Sequence, residues 1–400
     1  MLIAQRNFRS VIRTLTAVAA CNLAATAPAL AGFKDGRVET EVGDLKVRLD
    51  GRFMYDGLLD SSLPAADENN ADWRRARLGL RLNWDNDWRF RASADTLDDE
   101  VSLRDLRVEY RGWPVHLALG RMQEPFGMSE NESSNNLGLM ERPLATVLGP
   151  DFSTGVRANT RGKNWGLTMG VFGPDIAGLK ITNDDENADE SINARATYRP
   201  LRTRQVLLHL GASVSHRETE GGVRFNSRPE STLLSGLNIS HPRIEDADQY
   251  GLYGLEFALR NGPRLLKAEY IAADVDRDLG AAAQFDGYYV EGSWALTGER
   301  RRYSVRNGVF GGIDPKRPVT DGGLGAWEIA ARYSRLNLRD ADIDLDGDID
   351  GEDGEVTSLG LNWYPVRNAR VMVNALRISE IGGSSTDKEN AVQIRAQFFF

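Results

Sequence analysis

Asn390-Ala-Val-Gln-Ile-Arg-Ala-Gln-Phe-Phe-Phe400 closes the chain on an aromatic side chain. Successive side chains of a strand point to opposite faces. Val392, Ile394, Ala396, Phe398 and Phe400 therefore share one face, Gln393, Arg395 and Gln397 the other, and only Phe399 breaks the pattern. Such alternation on a terminal Phe reads as the last strand of a bacterial outer-membrane barrel, apolar toward lipid and polar toward a lumen. A soluble edge strand would seldom end on three phenylalanines, because an open hydrophobic edge invites aggregation.

The other end agrees. Arg6, Arg9 and Arg13 precede an uncharged stretch from Leu15 to Leu30, and Ala29-Leu-Ala31 offers a small-x-small cleavage site. Residues 1–31 are expected to be a secretory signal peptide, too short for a stable span, with 32–400 forming one barrel domain. Val18-Ala-Ala-Cys21 also fits a lipobox, but the apolar stretch before it is short, which favours cleavage after Ala31. Cys21 is the only cysteine, so that cut excludes disulfides, thiolate metal sites and a cysteine nucleophile.

Mean hydropathy is -0.41, and no later stretch approaches the roughly 20 apolar residues a membrane helix needs. Without the leader's three arginines, 46 basic residues stand against 58 acidic ones, a net of -12. Only 7 of the basic residues of the full chain are Lys and 42 are Arg. A merely solvated surface would use Lys freely, whereas the planar fork of Arg suits bidentate recognition of oxyanions.

Period-two segments occur near 44–55, 73–84, 88–96, 101–110, 115–122, 154–161, 164–173 and 191–199, then 205–216, 248–260, 264–274, 284–297, 325–338, 355–365, 368–379 and 390–400. That gives an all-β, 16-stranded antiparallel transmembrane barrel, the even count returning the chain to its starting side. Tight connections such as Asp85-Asn86-Asp87 alternate with long polar ones at 56–72, 123–153, 174–190, 217–247 and 339–354, the periplasmic and extracellular rims of such a barrel. The connection 298–324 breaks this rule. Parity then assigns faces. Lys46, Arg48, Asp50 and Arg52 point inward from the first strand, Arg75, Arg77 and Arg81 from the second, Arg89, Arg91 and Asp95 from the third, and Asp105, Arg107 and Glu109 from the fourth. A charge on the lipid face costs about 2–4 kcal/mol at midplane, so the segregation is close to obligatory.

The long connection after the fifth strand follows Gly120-Arg121-Met122-Gln123-Glu124-Pro125-Phe126-Gly127 and runs through Ser133-Ser134-Asn135 to Glu141-Arg142. With Gly51-Arg52, Trp73-Arg74-Arg75-Ala76-Arg77, the strand 101–110, Gly325-Ala-Trp-Glu-Ile-Ala-Ala-Arg-Tyr-Ser334 and Leu359-Gly-Leu-Asn-Trp-Tyr364, it resembles the phosphate-selective porins O and P over most of the chain. The resemblance implies a trimeric outer-membrane porin whose third extracellular loop folds inward. A ladder of arginines would lead small anions, phosphate and polyphosphate among them, through a water-filled channel. Its anion-pathway residues would be Arg52, Arg74, Arg75, Arg77, Arg107, Arg121 and Arg142. Parity places Arg74 on the lipid-facing register unless the strand is bulged there. Asn135 stands where phosphate-specific members carry a lysine, which weakens phosphate selectivity without removing the case for anions. Rings of Arg that replace part of an anion's hydration, at several moderate sites in a row, are the physics of such a pore. Low-dielectric walls focus their field even in an acidic protein.

Asp342, Asp344, Asp346 and Asp348 lie in a stretch spaced like a calcium loop, but its twelfth residue is Asp353 rather than a bidentate Glu. A solvated acidic loop is the competing reading, and no other cofactor is expected. His209 and His216 are the strand-borne candidates for an outer-membrane hydrolase, the alternative to an anion pore together with a general non-selective porin. The expected partners are small anions, outer-membrane lipid and lipopolysaccharide, the barrel-assembly machinery through Phe400, and two further copies of the chain. No nucleic acid is expected.

Overall fold

The computed structural model describes residues 32–34, 37–61, 70–97, 101–173, 190–234, 237–278, 281–340, 351–381 and 389–400. Sixteen strands form one closed wall: β1 (Leu45–Ser61), β2 (Ala71–Trp84), β3 (Trp88–Asp95), β4 (Ser102–Tyr110), β5 (His116–Gln123), β6 (Phe152–Arg161), β7 (Trp165–Gly173), β8 (Glu190–Arg202), β9 (Val206–Glu218), β10 (Gln249–Asn261), β11 (Arg264–Asp276), β12 (Ala283–Ala295), β13 (Ala326–Asn337), β14 (Asp353–Val366), β15 (Ala369–Ile381) and β16 (Glu389–Phe399). Each is antiparallel to the next, and β16 returns to β1 from Ala391↔Ser61 to Phe399↔Arg52. Every period-two segment is a strand, and only β1 runs well past its expected end. Two short strands, Gly32–Lys34 and Arg37–Val42, escaped that reading. The second pairs with β1 beyond the reach of β16, from Val38↔Leu49 to Val42↔Leu45.

Alternation decides what each face carries. On β8 the inner Ser191, Asn193, Arg195, Thr197 and Arg199 are buried, whereas Ile192 and Tyr198 stand exposed. This inverts the rule for water-soluble proteins and suits a wall with lipid outside. Register is set at the tight turns. Asp85 (φ 49°) and Asn86 (φ 59°) take the left-handed region that short polar residues tolerate, locking Trp84 opposite Trp88. At the seam Gly51 exchanges backbone bonds of 3.2 and 3.1 Å with Phe400. A Cβ on Gly51 would sit 2.5 Å from the Phe400 ring, so the closing aromatic packs against a position that only glycine fills without displacing it.

Three long connections carry structure of their own. Residues 124–151 hold a one-turn helix (Met128–Asn131) and a 3-10 turn (Leu144–Leu148). Residues 219–248 hold a small hairpin of Asn226–Ser227 with Ile239–Ser240, and 296–325 another of Tyr303–Ser304 with Val309–Phe310. Toward the long-loop end the inner face turns apolar: Leu252, Ile271, Phe285, Leu336, Val356 and Leu376 pack against Phe126, Leu144 and Leu148 of the first connection and Val223, Phe225 and Ile239 of the second. Both faces of these strand ends are therefore apolar, lipid covering one and a connection the other.

The connection 124–151 is also bound through its backbone to β11 and β13–β16. The Met128 and Ser129 N–H groups donate to Glu269 at 2.5 and 2.8 Å. Arg370 donates to the Leu137 carbonyl at 2.6 Å, Asn362 to that of Gly138 at 2.8 Å, Arg332 to that of Glu141 at 2.9 Å, and Arg395 to that of Met140. Backbone groups removed from water need such partners, and here the wall supplies them.

Candidate functional site

The inner face divides into two halves of different character. On the far wall, made by β8–β16 and the connection 296–325, a set of basic side chains is buried and paired: Arg195 with Glu256 (2.7 Å), Lys267 with Glu132 and Glu291 (both 3.0 Å), Arg301 of the connection with Glu328 (2.8 Å), and Arg332 with Glu230 and Glu291. Their side chains are 1–5% exposed. Across the barrel, on β2–β4, Arg74, Arg77, Arg81, Arg91 and Arg107 are 11–29% exposed. The wall made by the first strands is therefore the more solvent-exposed, while the far wall carries buried ion pairs and the connections.

Register builds a continuous row on that accessible wall. Arg48 lies opposite Arg81, Arg81 opposite Arg91, and Arg91 opposite Arg107, four arginines side by side on β1–β4. Directly opposite residues share a face, so all four guanidinium groups start from one level. Two carboxylates one step away partly offset them: Asp50 at 2.6 Å from Arg81, and Asp105 at 3.1 Å from Arg91 and 2.9 Å from Arg107. Parity had put each of these residues inward, but only the strand registers set them abreast.

The residues expected to carry the pathway fall as follows. Arg52 lies opposite Arg77 and donates to Ser134 Oγ at 2.6 Å and Ser133 Oγ at 3.3 Å. Among the described residues it has no carboxylate partner. Arg77 is held by Asp95 in a bidentate pair of 2.8 and 2.5 Å. Arg75 lies opposite Met54, flanked by Arg74, Arg77 and Arg142, and makes no hydrogen bond or ion pair among the described residues. Arg74 is the extra residue of a β-bulge, since Met54 pairs with Arg75 and Tyr55 with Trp73. The bulge turns it off the lipid-facing register, and its Nε and Nη2 grip Glu141 at 2.8 and 2.9 Å. Arg142 instead stitches its own connection, donating to the Ser129, Glu130 and Glu132 carbonyls at 3.0, 3.2 and 2.8 Å. Arg121 stands apart: it is buried and pairs with Leu106 and Thr154, in the row that carries outward side chains.

Arg395, set on the inner wall by parity, and Glu141, noted only as part of the Glu141-Arg142 motif, meet beside these arginines. Arg395 grips Asp56 through two bonds of 2.6 Å and reaches Glu141 at 2.5 Å. Burial disfavours the charged form of Glu141, but Arg74 and Arg395 override it and hold the carboxyl well below the usual carboxylate range. A carboxyl depressed on folding contributes stability above its unfolded value, near 4.3, and loses it as pH falls from there toward the folded value. The contribution of Glu141 to the thermal midpoint in detergent, read as the difference from Glu141→Gln, should therefore stay level from pH 7 to about 4.5 and decline below. A difference unchanged at the lower pH would show that other carboxylates cause any acid decline.

Asp342, Asp344, Asp346 and Asp348 lie outside the described residues, so the calcium reading rests there on sequence alone. Asp353 heads β14, buried, with Arg335 at 4.0 Å. The two histidines of the hydrolase reading lie on opposite faces. His209 is buried and both its ring nitrogens are engaged, by Tyr303 (2.7 Å) and Glu256 (3.0 Å), while His216 is exposed on the outward row of β9.

The wall resembles that of known outer-membrane porins. Two solved barrels share the fold at a TM-score of 0.56: an anion-selective porin from Comamonas acidovorans (12% identity, 89% of this chain and 100% of that one) and the outer membrane channel DcaP of Acinetobacter baumannii (14%, 93% and 100%). A barrel of this fold is suited to passive diffusion. In sequence, the chain is 25% identical to Porin O of Pseudomonas aeruginosa over 402 residues, 91% of this chain and 90% of that protein. It is 29% identical to an uncharacterized protein of Caulobacter vibrioides over 365 residues, 88% of this chain and 72% of the relative. The family model "Phosphate-selective porin O and P" matches residues 47–400. The chain belongs to that family of porins.

Proposed function

We propose that the barrel is a water-filled outer-membrane channel through which small anions diffuse along the arginine wall of β1–β4. The observation that carries this reading is the row Arg48–Arg81–Arg91–Arg107, with Arg52 and Arg75 above it lacking carboxylate partners among the described residues. The connection 124–151 is read as the third extracellular loop folded into the lumen. Its carbonyls bonded to Arg370, Asn362, Arg332 and Arg395 support that placement. On this reading the loop leaves a passage only on the arginine side, with Ser133 and Ser134 facing Arg52 across it. Asn135, without a positive charge, favours a channel for anions generally over one tuned to phosphate.

The homotrimer follows from the same reading, supported by the low wall of β3, β4 and β5, which have only 8, 9 and 8 residues. Eight residues tilted by about 45° rise roughly 19 Å, short of an apolar band about 25 Å tall, so this side suits contact with another copy rather than lipid. Cleavage of residues 1–31, recognition of Phe400 during assembly, and lipopolysaccharide around the remaining wall complete the proposal. Reversal potentials across a planar bilayer in a potassium chloride gradient test it. Chloride should be favoured over potassium; a cation preference would sink the reading, and equal permeability would leave a general porin.

A further inference from the structure

The irregular connection 296–325 enters from the short-turn end and reaches the arginine wall. Its hairpin is anchored on the far wall: Arg195 donates to the Asn307 and Gly308 carbonyls at 2.7 and 3.0 Å, and Tyr303 bonds His209. Phe310 packs among Met128, Leu207 and Leu265, so the hairpin also touches the 124–151 connection. Between the two strands a tight turn, closed by the Gly308 N–H on the Ser304 carbonyl at 2.8 Å, carries Arg306. Arg306 crosses to the opposite side. Its Nη2 donates to His116 Nδ1 at 2.7 Å, and its Nη1 lies 4.0 Å from Glu109 Oε1. Glu109 pairs in register with Arg89, two residues along their strands from the Arg91–Arg107 pair, so this contact stands at the end of the arginine row nearest the short turns.

We propose that Arg306 and His116 form a pH-sensitive clasp across the periplasmic exit of the anion path. The proposal rests on the anion-pore reading. Arg is a donor only, so His116 must offer the Nδ1 lone pair and be neutral; protonation sets N–H against N–H and removes the tie. The charged groups facing His116 are Arg306 from the hairpin, Glu109 and Arg111 from the end of β4, and Arg161 from β6. Three of the four are cations, and Glu109 is already taken by Arg111 at 2.6 Å. A protonated His116 thus gains little and pushes Arg306 away, opening the exit and adding a positive charge beside it.

The test is single-channel conductance of the purified full-length protein in planar bilayers, with periplasmic-side pH stepped from 7.5 to 5.5, above the ordinary carboxylate range. Wild-type anion conductance should rise about twofold through the histidine range, the order expected from one charge a few ångströms from the path. His116→Gln, whose amide oxygen can still accept from Arg306, should hold the neutral-pH conductance at both values. Arg306→Ala should conduct at the raised level at both and change the rectification, because it alters one mouth only. A pH step surviving in His116→Gln, or Arg306→Ala matching the wild type at pH 7.5, would overturn the clasp. The reversal potential in the same bilayers separates the two readings: a cation preference refutes the anion pore, while an anion preference with no pH step refutes the clasp alone.

Discussion

Arg52→Ala combined with Arg75→Ala should lower the chloride-over-potassium permeability ratio about tenfold, a change of about 1.4 kcal/mol. The size follows from which cations near the loop are already neutralised. Arg74 is held by Glu141, Arg77 by Asp95 and Arg142 by Glu130. Arg52 touches only serine hydroxyls, and Arg75 has no partner among the described residues. On the proposed path each would act on a passing anion with nearly its full charge, about 3 kcal/mol at 6 Å for an effective dielectric near 20, before salt screens it. Their removal leaves the upper pathway with balanced pairs, so discrimination falls to the row Arg48–Arg81–Arg91–Arg107 beneath. A double variant with wild-type reversal potentials would move the selective point down to that row. Arg77→Ala makes a useful contrast, since it strips a cation but also leaves Asp95 unpaired and should shift the ratio further toward cations.

Arg395→Ala should be the most damaging single substitution for stability. The side chain is 1% exposed, grips Asp56 of β1, and ties the Met140 carbonyl and Glu141 carboxylate of the loop. Truncation strands Asp56 in a buried site, a loss of about 3–5 kcal/mol for a broken buried pair. The thermal midpoint in detergent should fall by roughly 6–10 °C, scaling from 2 °C per kcal/mol in large domains. The same substitution frees the loop near Arg74, so open-channel current should become noisier and larger on average. Arg395→Lys keeps the charge but cannot span two carboxylates, and should recover only part of the midpoint. A full-strength midpoint in Arg395→Ala would mean that Asp56 finds another donor.

The strands were legible because each one alternates over eight or more residues, and because lipid tolerates no error on the outer face. Faces of individual residues followed from parity, which correctly set Arg52, Arg75, Arg77 and Arg107 inward. What parity cannot supply is height. That Arg48, Arg81, Arg91 and Arg107 stand abreast depends on registers set by turns such as Asp85-Asn86-Asp87, and one extra turn residue would stagger the row. Arg74 lay beyond parity for a related reason: parity could name a bulge only as a condition, and the partner of its guanidinium, Glu141, lies 67 residues away. Arg395 was visible as an inner residue, but its task depends on Asp56, 339 positions earlier. The apolar inner ends of β10–β15 were hidden because a run such as Leu252-Tyr-Gly-Leu255 looks the same whether its second apolar face meets lipid or a folded connection.

The bond between Arg395 and Asp56 crosses the joint where the last strand meets the first, and the same guanidinium fastens the loop. Sealing the wall and seating the connection 124–151 are thus one event, completed when the sixteenth strand docks on the first. A chain stalled before that moment has neither a shut cylinder nor a seated loop, so it cannot become a shut cylinder with an unregulated hole. For a cell whose outer envelope must stay tight while such cylinders are inserted, this coupling works as a safety interlock against leakage during biogenesis.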